Sequence, residues 1–316
     1  MKKVVFAILF TIISTAAAVA QQESRTAYNF LRLPVSAHAA ALGGDNISLI
    51  ADDPTLVFHN PALAASVSDR SLNLNYMNYM EGVNTASASF VKAVNDRATW
   101  AVMGQFLDYG SMKETTADNE QTVDFSAKDI MVGGTFAYAL TDRIVGGVTA
   151  KFITSYIAGY SSVAVGVDLG VNYYHEESDL SLSAVVRNLG GQIKAYEDDF
   201  ERLPLEVQMG ATKKLKGAPL RLSAAMTSLN DWSGSLISHF NVGLDILIGS
   251  NIYIAGGYNF RRADEMKIPE ADGESRHGAG LSLGAGLQME RFKLQLAYAK
   301  YHVSASSLMV NVTYSL

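Results

Sequence analysis

The chain ends in the stretch Leu308-Met309-Val310-Asn311-Val312-Thr313-Tyr314-Ser315-Leu316, in which every second side chain is large and apolar. The apolar set Leu308, Val310, Val312 and Tyr314 alternates with a set that is mostly polar or small. Because successive side chains of a β-strand point to opposite faces, this stretch predicts a strand with one apolar face and one more polar face.

The same alternation recurs through most of the chain. The longest stripe runs over Val163, Val165, Val167, Leu169, Val171 and Tyr173. Roughly fourteen segments of about ten residues follow this rule between residues 71 and 316. No segment in this region has the long apolar run of a transmembrane helix. The alternation therefore predicts an all-β architecture.

Turn residues separate these segments, and the connections differ in length. Short signals occur at Asn95-Asp96, Thr141-Asp142, Glu176-Glu177, Gly217-Ala218-Pro219 and Gly249-Ser250-Asn251. Longer polar stretches occupy 111–128, 190–204 and 261–277. Short turns at one end and long loops at the other are typical of an outer-membrane β-barrel.

The first twenty residues predict an export signal. Lys2 and Lys3 precede the uncharged, mostly apolar run 4–20, which ends in Ala18-Val19-Ala20. This pattern is typical of a secretory signal peptide cleaved after Ala20, so we expect residues 1–20 to be removed. An N-terminal membrane anchor is the alternative, but the run is short for a bilayer.

Two architectures fit the alternating strands: a soluble β-sandwich or propeller, and a membrane barrel. The export signal, the strand length, the 15 tyrosines in a cysteine-free chain and the final strand favour the barrel. In a bilayer every backbone group must be paired within the protein, which for strands requires closure. We therefore predict a transmembrane outer-membrane β-barrel of about fourteen antiparallel strands over 71–316. Tyrosines expected in its interfacial girdles are Tyr76, Tyr79, Tyr109, Tyr173, Tyr174 and Tyr258.

Composition excludes several classes of function. The 316 residues carry 25 Lys+Arg against 31 Asp+Glu, for a net charge of −6, so no basic excess indicates a nucleic-acid partner. The absence of cysteine excludes a disulfide framework, a thiolate metal site and a cysteine nucleophile. The six histidines are scattered without metal-ligand spacing, and no zinc-protease, nucleophile-elbow or phosphate-loop motif occurs. We predict neither an enzyme nor a cofactor or metal site.

Residues 21–70 do not alternate and predict a different kind of structure. They contain small residues, glycines and capping residues, which indicate short helical turns. We predict a hatch, or plug, inside the barrel, where irregular backbone is shielded from lipid; a periplasmic extension is the alternative. Candidate site residues, expected to hold the hatch and alternatively to contact a ligand, are Gly43, Gly44, Asp52, Asp53, Asn60 and Pro61.

An ordered set of motifs resembles one family. The set consists of 30–37 (FLRLPVSA), 40–44 (AALGG), 52–54 (DDP), 58–63 (FHNPAL), 106–110 (FLDYG), 158–162 (AGYSS) and 186–190 (VRNLG). It resembles the PorQ family, outer-membrane components of the type IX secretion system of Bacteroidetes. The wider PorV and FadL-type group shares the acidic and Asn-Pro-Ala hatch signature. His38 stands where the family pattern has an arginine.

The resemblance implies a FadL-like, fourteen-stranded barrel with an N-terminal hatch, located in the outer membrane after signal cleavage. It also implies a non-enzymatic role in the complex that attaches secreted cargo to anionic lipopolysaccharide. The implied partners are a PorZ-type surface protein anchored by the barrel, with the PorU sortase and PorV in the same complex, and outer-membrane lipid. A FadL-type transporter of hydrophobic compounds is the alternative.

Two further stretches have open interpretations. The acidic run 196–201 (YEDDFE) is expected to be a solvated loop; contact with a cation or a partner is the alternative. The glycine-rich segment 278–286 lies in an alternating region. We therefore expect its small residues to face a crowded lumen rather than to bind a nucleotide.

Overall fold

We describe the protein from a computed structural model that covers residues 26–80, 82–115, 121–232, 235–270, 273–275, 278–302 and 305–316. The predicted signal peptide, 1–20, lies outside the described residues.

In the part of the chain that is described, fourteen antiparallel strands form a closed barrel in which sequence neighbours pair and β1 also pairs with the last strand. The barrel strands are β1 (Ser71–Met80), β2 (Val83–Asn95), β3 (Ala98–Thr115), β4 (Gln121–Ala139), β5 (Ile144–Ile157), β6 (Tyr160–His175), β7 (Leu180–Lys194), β8 (Glu206–Lys214), β9 (Leu220–Met226), β10 (Phe240–Ile248), β11 (Ile252–Asn259), β14 (Leu281–Gln288), β15 (Phe292–His302) and β16 (Ala305–Ser315). A two-stranded hairpin, β12 (Ile268–Glu270) and β13 (Gly273–Ser275), lies between β11 and β14. The predicted fold class is confirmed.

The two ends of the barrel differ in their connections. At one end, the turn end, the strands are joined by two to five residues, at 96–97, 140–143, 176–179, 215–219, 249–251 and 289–291. At the other, the loop end, three connections are long: 195–205, 227–239 and 260–280. Residues 260–280 include the hairpin and the helix α2 (Phe260–Glu265), while α1 lies earlier, at Ala37–Ala41.

The stretch predicted as the first long loop has a different structure. Of residues 111–128, those that are described belong to β3 and β4, which stay paired out to Thr115 and Gln121 with a register shift after Lys113. The polar residues that indicated a loop belong to a hairpin whose side chains are largely exposed. Its backbone N–H and C=O groups are still hydrogen-bonded between the two strands. Likewise, 190–194 continue β7.

The barrel is apolar outside and polar inside. In β1, Leu72, Leu74 and Tyr76 are 39%, 56% and 51% exposed, whereas Asn73 and Asn75 between them are buried. The other strands likewise expose apolar side chains outside and bury polar ones inside, the reverse of a water-soluble protein. This is the pattern expected of a barrel wall that contacts lipid.

The tyrosines predicted for the interfacial girdles are divided between the two faces. Tyr76 faces outward, as expected. Tyr79 and Tyr109 instead pack against the apolar core inside the lumen, and the Tyr109 hydroxyl donates to Asp129 at 2.8 Å. Strand alternation alone cannot say which face of a tyrosine-bearing strand looks inward, so this part of the prediction was wrong for those two residues.

The part of the predicted hatch that is described, residues 26–70, lies in the lumen and is called the hatch below. It contains α1 and three 3-10 turns, Asn29–Arg32, Pro54–Phe58 and Pro61–Ser66. The last two begin with proline at the first helical position, and the Asp53 and Asn60 side chains before them accept from Thr55 N and Ala62 N. Within the described ranges, no helix combines the length and apolar character needed to cross a membrane.

Replacing Leu244 with arginine tests the lipid-facing assignment. Leu244 lies outward in the middle of β10, so Leu244→Arg should lower the free energy of unfolding in lipid vesicles by about 2–4 kcal/mol. Val123→Arg is the matched control, because Val123 is exposed on the β4 extension. Chemical unfolding in vesicles measures both; equal tolerance of the two arginines would contradict a membrane-facing β10.

Candidate functional site: the hatch and two lumen cavities

Glycines in the wall allow the hatch backbone to touch the strands. A Cβ atom on Gly147 of β5 would lie 2.4 Å from the Pro61 carbonyl carbon and 2.5 Å from Ala62 N. A Cβ atom on Gly257 of β11 would lie 2.3 Å from the Leu42 carbonyl carbon. Real Cβ atoms do not approach other atoms this closely, so both positions require glycine as long as the hatch stays in place.

The glycine-rich segment 278–286 follows the same rule. A Cβ atom on Gly284 would lie 2.5 Å from the Cβ of Ala41 in α1, so this glycine faces the hatch. The expectation that small residues here face a crowded lumen agrees with this geometry.

A buried charge cluster joins α1 to the wall. His38 Nε2 lies 2.8 Å from Asp245 Oδ1, and Arg221 donates from Nε to Asp245 Oδ2 at 2.7 Å. The Tyr253 ring stacks on His38 with 3.7 Å between centroids. Arg221, on β9, therefore places a permanent positive charge beside His38.

A second ion pair joins the hatch to β15. Lys293, which is buried, pairs with Asp52, and Ser68 donates to the same carboxylate from N and Oγ at 2.7 Å each. Burial would raise the pKa of Asp52, but the hydrogen bonds from Lys293 and Ser68 outweigh it and lower the pKa. Asp52 therefore stays ionised in this network.

The remaining acidic and amide residues of the hatch motif hold the hatch together. Asp53 accepts from Thr55 N at 2.9 Å and from Ser36 Oγ at 3.1 Å, and Asn60 Nδ2 donates to Ile47 O at 2.9 Å. His59 between them is buried, and burial together with the charges of Arg187 and Lys151 lowers its pKa to about 3. His59 is therefore neutral near pH 7 and accepts from Ser36 N.

Two cavities between the hatch and the wall are bordered by predicted site residues of the described chain. The turn-end cavity, of about 270 Å³, is bordered by His38, Asp52, Asp53, Arg221 and Lys293, among others. The loop-end cavity, of about 200 Å³, is bordered by hatch residues, by strand residues and by residues of two of the long connections, 227–239 and 260–280. The predicted site residues are therefore not brought together: Gly43 and Gly44 line the loop-end cavity, Asp52 and Asp53 line the turn-end cavity, and Asn60 and Pro61 line neither.

The loop-end cavity is charged. Arg187 and Glu206 are direct cross-strand partners on β7 and β8, and Arg262 comes from α2. Gly44, with φ +109°, faces this cavity, and a Cβ atom there would lie 3.8 Å from Arg262 Nη1. The Arg262 guanidinium lies over the Tyr301 ring, 4.8 Å from its centroid.

Asp45 adds a carboxyl group whose ionisation is disfavoured. Burial and then the charge of Glu206 raise its pKa to about 6, against the opposing effect of Arg187 and Arg262. Sequence reasoning did not select Asp45, Arg187, Glu206 or Arg262 as site residues. These residues are distant in the sequence and meet only in the folded barrel, so no local spacing marks them. Arg187 was noted only as part of the motif 186–190.

Among the described residues, no three histidine, aspartate or glutamate side chains come together as a metal site. What the two cavities present instead is hydrogen-bond donors, acceptors and paired charges.

No protein-family model and no curated protein sequence matches the chain. Solved structures do match: the Pseudomonas putida toluene transporter TodX has a TM-score of 0.58 at 14% identity, covering 88% of this chain and 96% of TodX. A Pseudomonas aeruginosa FadL homologue has a TM-score of 0.53 at 12% identity, covering 89% and 98%. The monoaromatic hydrocarbon channel CymD has a TM-score of 0.58 at 11% identity, covering 92% and 99%. At these identities the likeness concerns the fold alone: this chain has a FadL-like barrel.

Substituting Gly147 tests whether the wall glycines hold the hatch. Gly147→Ala forces a methyl group into the hatch backbone at Pro61, so we expect a loss of about 1–3 kcal/mol in unfolding free energy. Protease cleavage within the hatch should also become faster. Gly134→Ala on β4 is the matched control, because no atom lies within 4 Å of its added Cβ. Unchanged stability and hatch cleavage in Gly147→Ala would show that the hatch is not seated there.

Proposed function

We propose that the protein is a non-enzymatic outer-membrane barrel that anchors a surface partner at its loop end. The location is supported by closure and by the apolar exterior, since a closed barrel is the strand architecture that satisfies every backbone group in lipid. By the usual orientation of such barrels, short turns face the periplasm and long loops face the outside. The loop end would then be at the cell surface.

The filling of the lumen supports anchoring over passage. Phe30, Leu31 and Val57 of the hatch pack with Met103 and Ile153 of the wall in one buried cluster. A buried ion pair adds to this packing: Lys151 Nζ and Asp168 Oδ2 lie 2.6 Å apart. A solute crossing the barrel would have to displace this packing.

The observation that carries the proposal is a set of exposed apolar side chains on two of the long connections. We call this set the loop surface; it consists of Phe200, Trp232, Leu236 and Ile237, which are 65%, 57%, 62% and 58% exposed. Large aromatic and aliphatic side chains in loops outside the bilayer are typical of protein interfaces. The exposed acidic residues Glu197, Asp198, Asp199 and Glu201 accompany Phe200.

The resemblance described above supplies the expected partner. A PorZ-type surface protein would dock on the loop surface, with the PorU sortase and PorV in the same complex and lipopolysaccharide as the cargo acceptor. The acidic residues beside Phe200 favour a partner whose contact area is basic.

Capture of the partner tests this proposal. Phe200→Ser combined with Leu236→Ser removes two apolar side chains from the loop surface, so partner recovery from gently solubilised outer membrane should fall by at least about tenfold. Leu140→Ser combined with Met289→Ser, exposed apolar residues at the turn end, is the matched control and should leave recovery unchanged. Mass spectrometry identifies and counts the partners. Wild-type recovery by the loop variant, with the barrel folded, would contradict docking at this surface.

A second candidate is FadL-type passage of a hydrophobic compound, which the fold comparisons favour. In this function the hatch would rearrange to open a path through the lumen. The candidate predicts that the purified protein retains a fatty acid or similar lipid, and that its deletion impairs growth on a hydrophobic carbon source. Lipid analysis and growth curves test both expectations, and absence of both effects would eliminate the candidate while leaving anchoring unaffected.

A further inference from the structure

We propose that the loop-end cavity binds a small polar ligand that combines an oxyanion, such as a carboxylate, with hydroxyl or ammonium donors. The inference is independent of the loop surface, because it concerns the interior of the barrel. It follows from the buried groups that the cavity presents.

The oxyanion is inferred from two buried guanidinium groups. Arg187 donates from Nη2 to Leu31 O at 2.8 Å, but its Nε has no hydrogen-bond partner among the described residues. Arg262 donates from Nε to Ala279 O at 2.7 Å and from Nη2 to Ser282 Oγ at 2.6 Å, and in the same described set its Nη1 has no partner. Both side chains are 6% exposed and both line this cavity.

Buried charged donors without acceptors are costly, and a bound carboxylate is the group that best satisfies guanidinium N–H groups. Neither Arg187 Nε nor Arg262 Nη1 has a hydrogen-bond acceptor among the described residues. Their common position on one cavity therefore points to a ligand acceptor.

The donors of the ligand are inferred from the carboxylates in the same cavity. Glu206 accepts from Ser228 N at 2.6 Å and from Ser228 Oγ at 3.0 Å, and Asp45 is half-buried near it. Two neighbouring carboxylates repel a plain anion, so an anion without donors would be disfavoured. A hydroxyl or ammonium group placed toward Asp45 and Glu206 would satisfy them.

The size and remaining lining of the cavity restrict the ligand further. A volume of about 200 Å³ corresponds to about seven water molecules at their share of liquid volume, enough for one sugar ring or one amino acid. Tyr79 also borders the cavity and offers aromatic surface to a carbon skeleton. Two sources share this chemistry: sugar acids and free amino acids.

Titration calorimetry on the purified full-length protein in detergent tests the proposal with four probes. D-glucuronate represents a sugar acid and L-leucine an amino acid; D-glucose lacks the oxyanion, and octanoate lacks the donors. We expect saturable binding of glucuronate, leucine or both, with glucose and octanoate at least about tenfold weaker. Which of the first two binds identifies the source. If neither binds at millimolar concentration, or if octanoate binds best, the proposal is overturned.

Two variants place the binding in this cavity. Arg187→Gln should weaken the bound probe by at least about tenfold, while Arg143→Gln, the same change at an exposed turn-end position, should leave binding unchanged. If Arg187→Gln does not fold, Asp45→Asn replaces it, because Asp45 is half-buried in the hatch; it should weaken the probe severalfold. Wild-type affinity in the folded Arg187→Gln or Asp45→Asn protein would overturn the proposal.

Discussion

Direct contact between the hatch backbone and the barrel wall is the constraint on which the rest of the structure depends. The contacts at Gly147 and Gly257 leave no room for any side chain, so the hatch and the strands act as one packed body. Within this body, the side chains of Asp53 and Asn60 cap the two 3-10 turns of the hatch and so fix the positions of these turns against the wall. In this position Asp52 pairs with Lys293 of the wall, and His38 contacts Asp245 of the wall.

This arrangement explains the composition of the lumen. An empty barrel of this size would hold water, and its inner face would need only polar side chains. Here the inner face is divided: one part receives the apolar hatch residues around Phe30, and another pairs charges such as Lys151 with Asp168. The turn-end and loop-end cavities are places where hatch and wall do not meet, and polar and charged side chains are accessible to a ligand there.

Much of the fold could be predicted from the sequence because its signals are local. Alternation in segments such as 308–316 identifies strands, and Asp53-Pro54 and Asn60-Pro61 identify capped turns. The loop-end cavity could not be predicted, because its groups come from β7, β8, α2 and the hatch, and an inward polar residue such as Arg187 resembles any other polar residue in a strand. The extension of β3 and β4 escaped prediction for a related reason: a solvated hairpin and a polar loop have the same composition. The fold comparisons confirm the expected FadL-like barrel, and at their low identities they show the fold alone.

The first described residues of the hatch, Thr26 and Ala27, are joined to one of the long connections. Thr26 bridges Arg202, and Ala27 N donates to Arg202 O at 3.0 Å, while Leu203 next to it is buried in the lumen cluster. The same connection, 195–205, carries the exposed side chain of Phe200. Thermodynamic linkage follows from this join: a partner that binds only the ordered connection raises the free energy needed to release the start of the hatch. Reciprocally, a ligand that orders the hatch would raise the affinity of the barrel for such a partner.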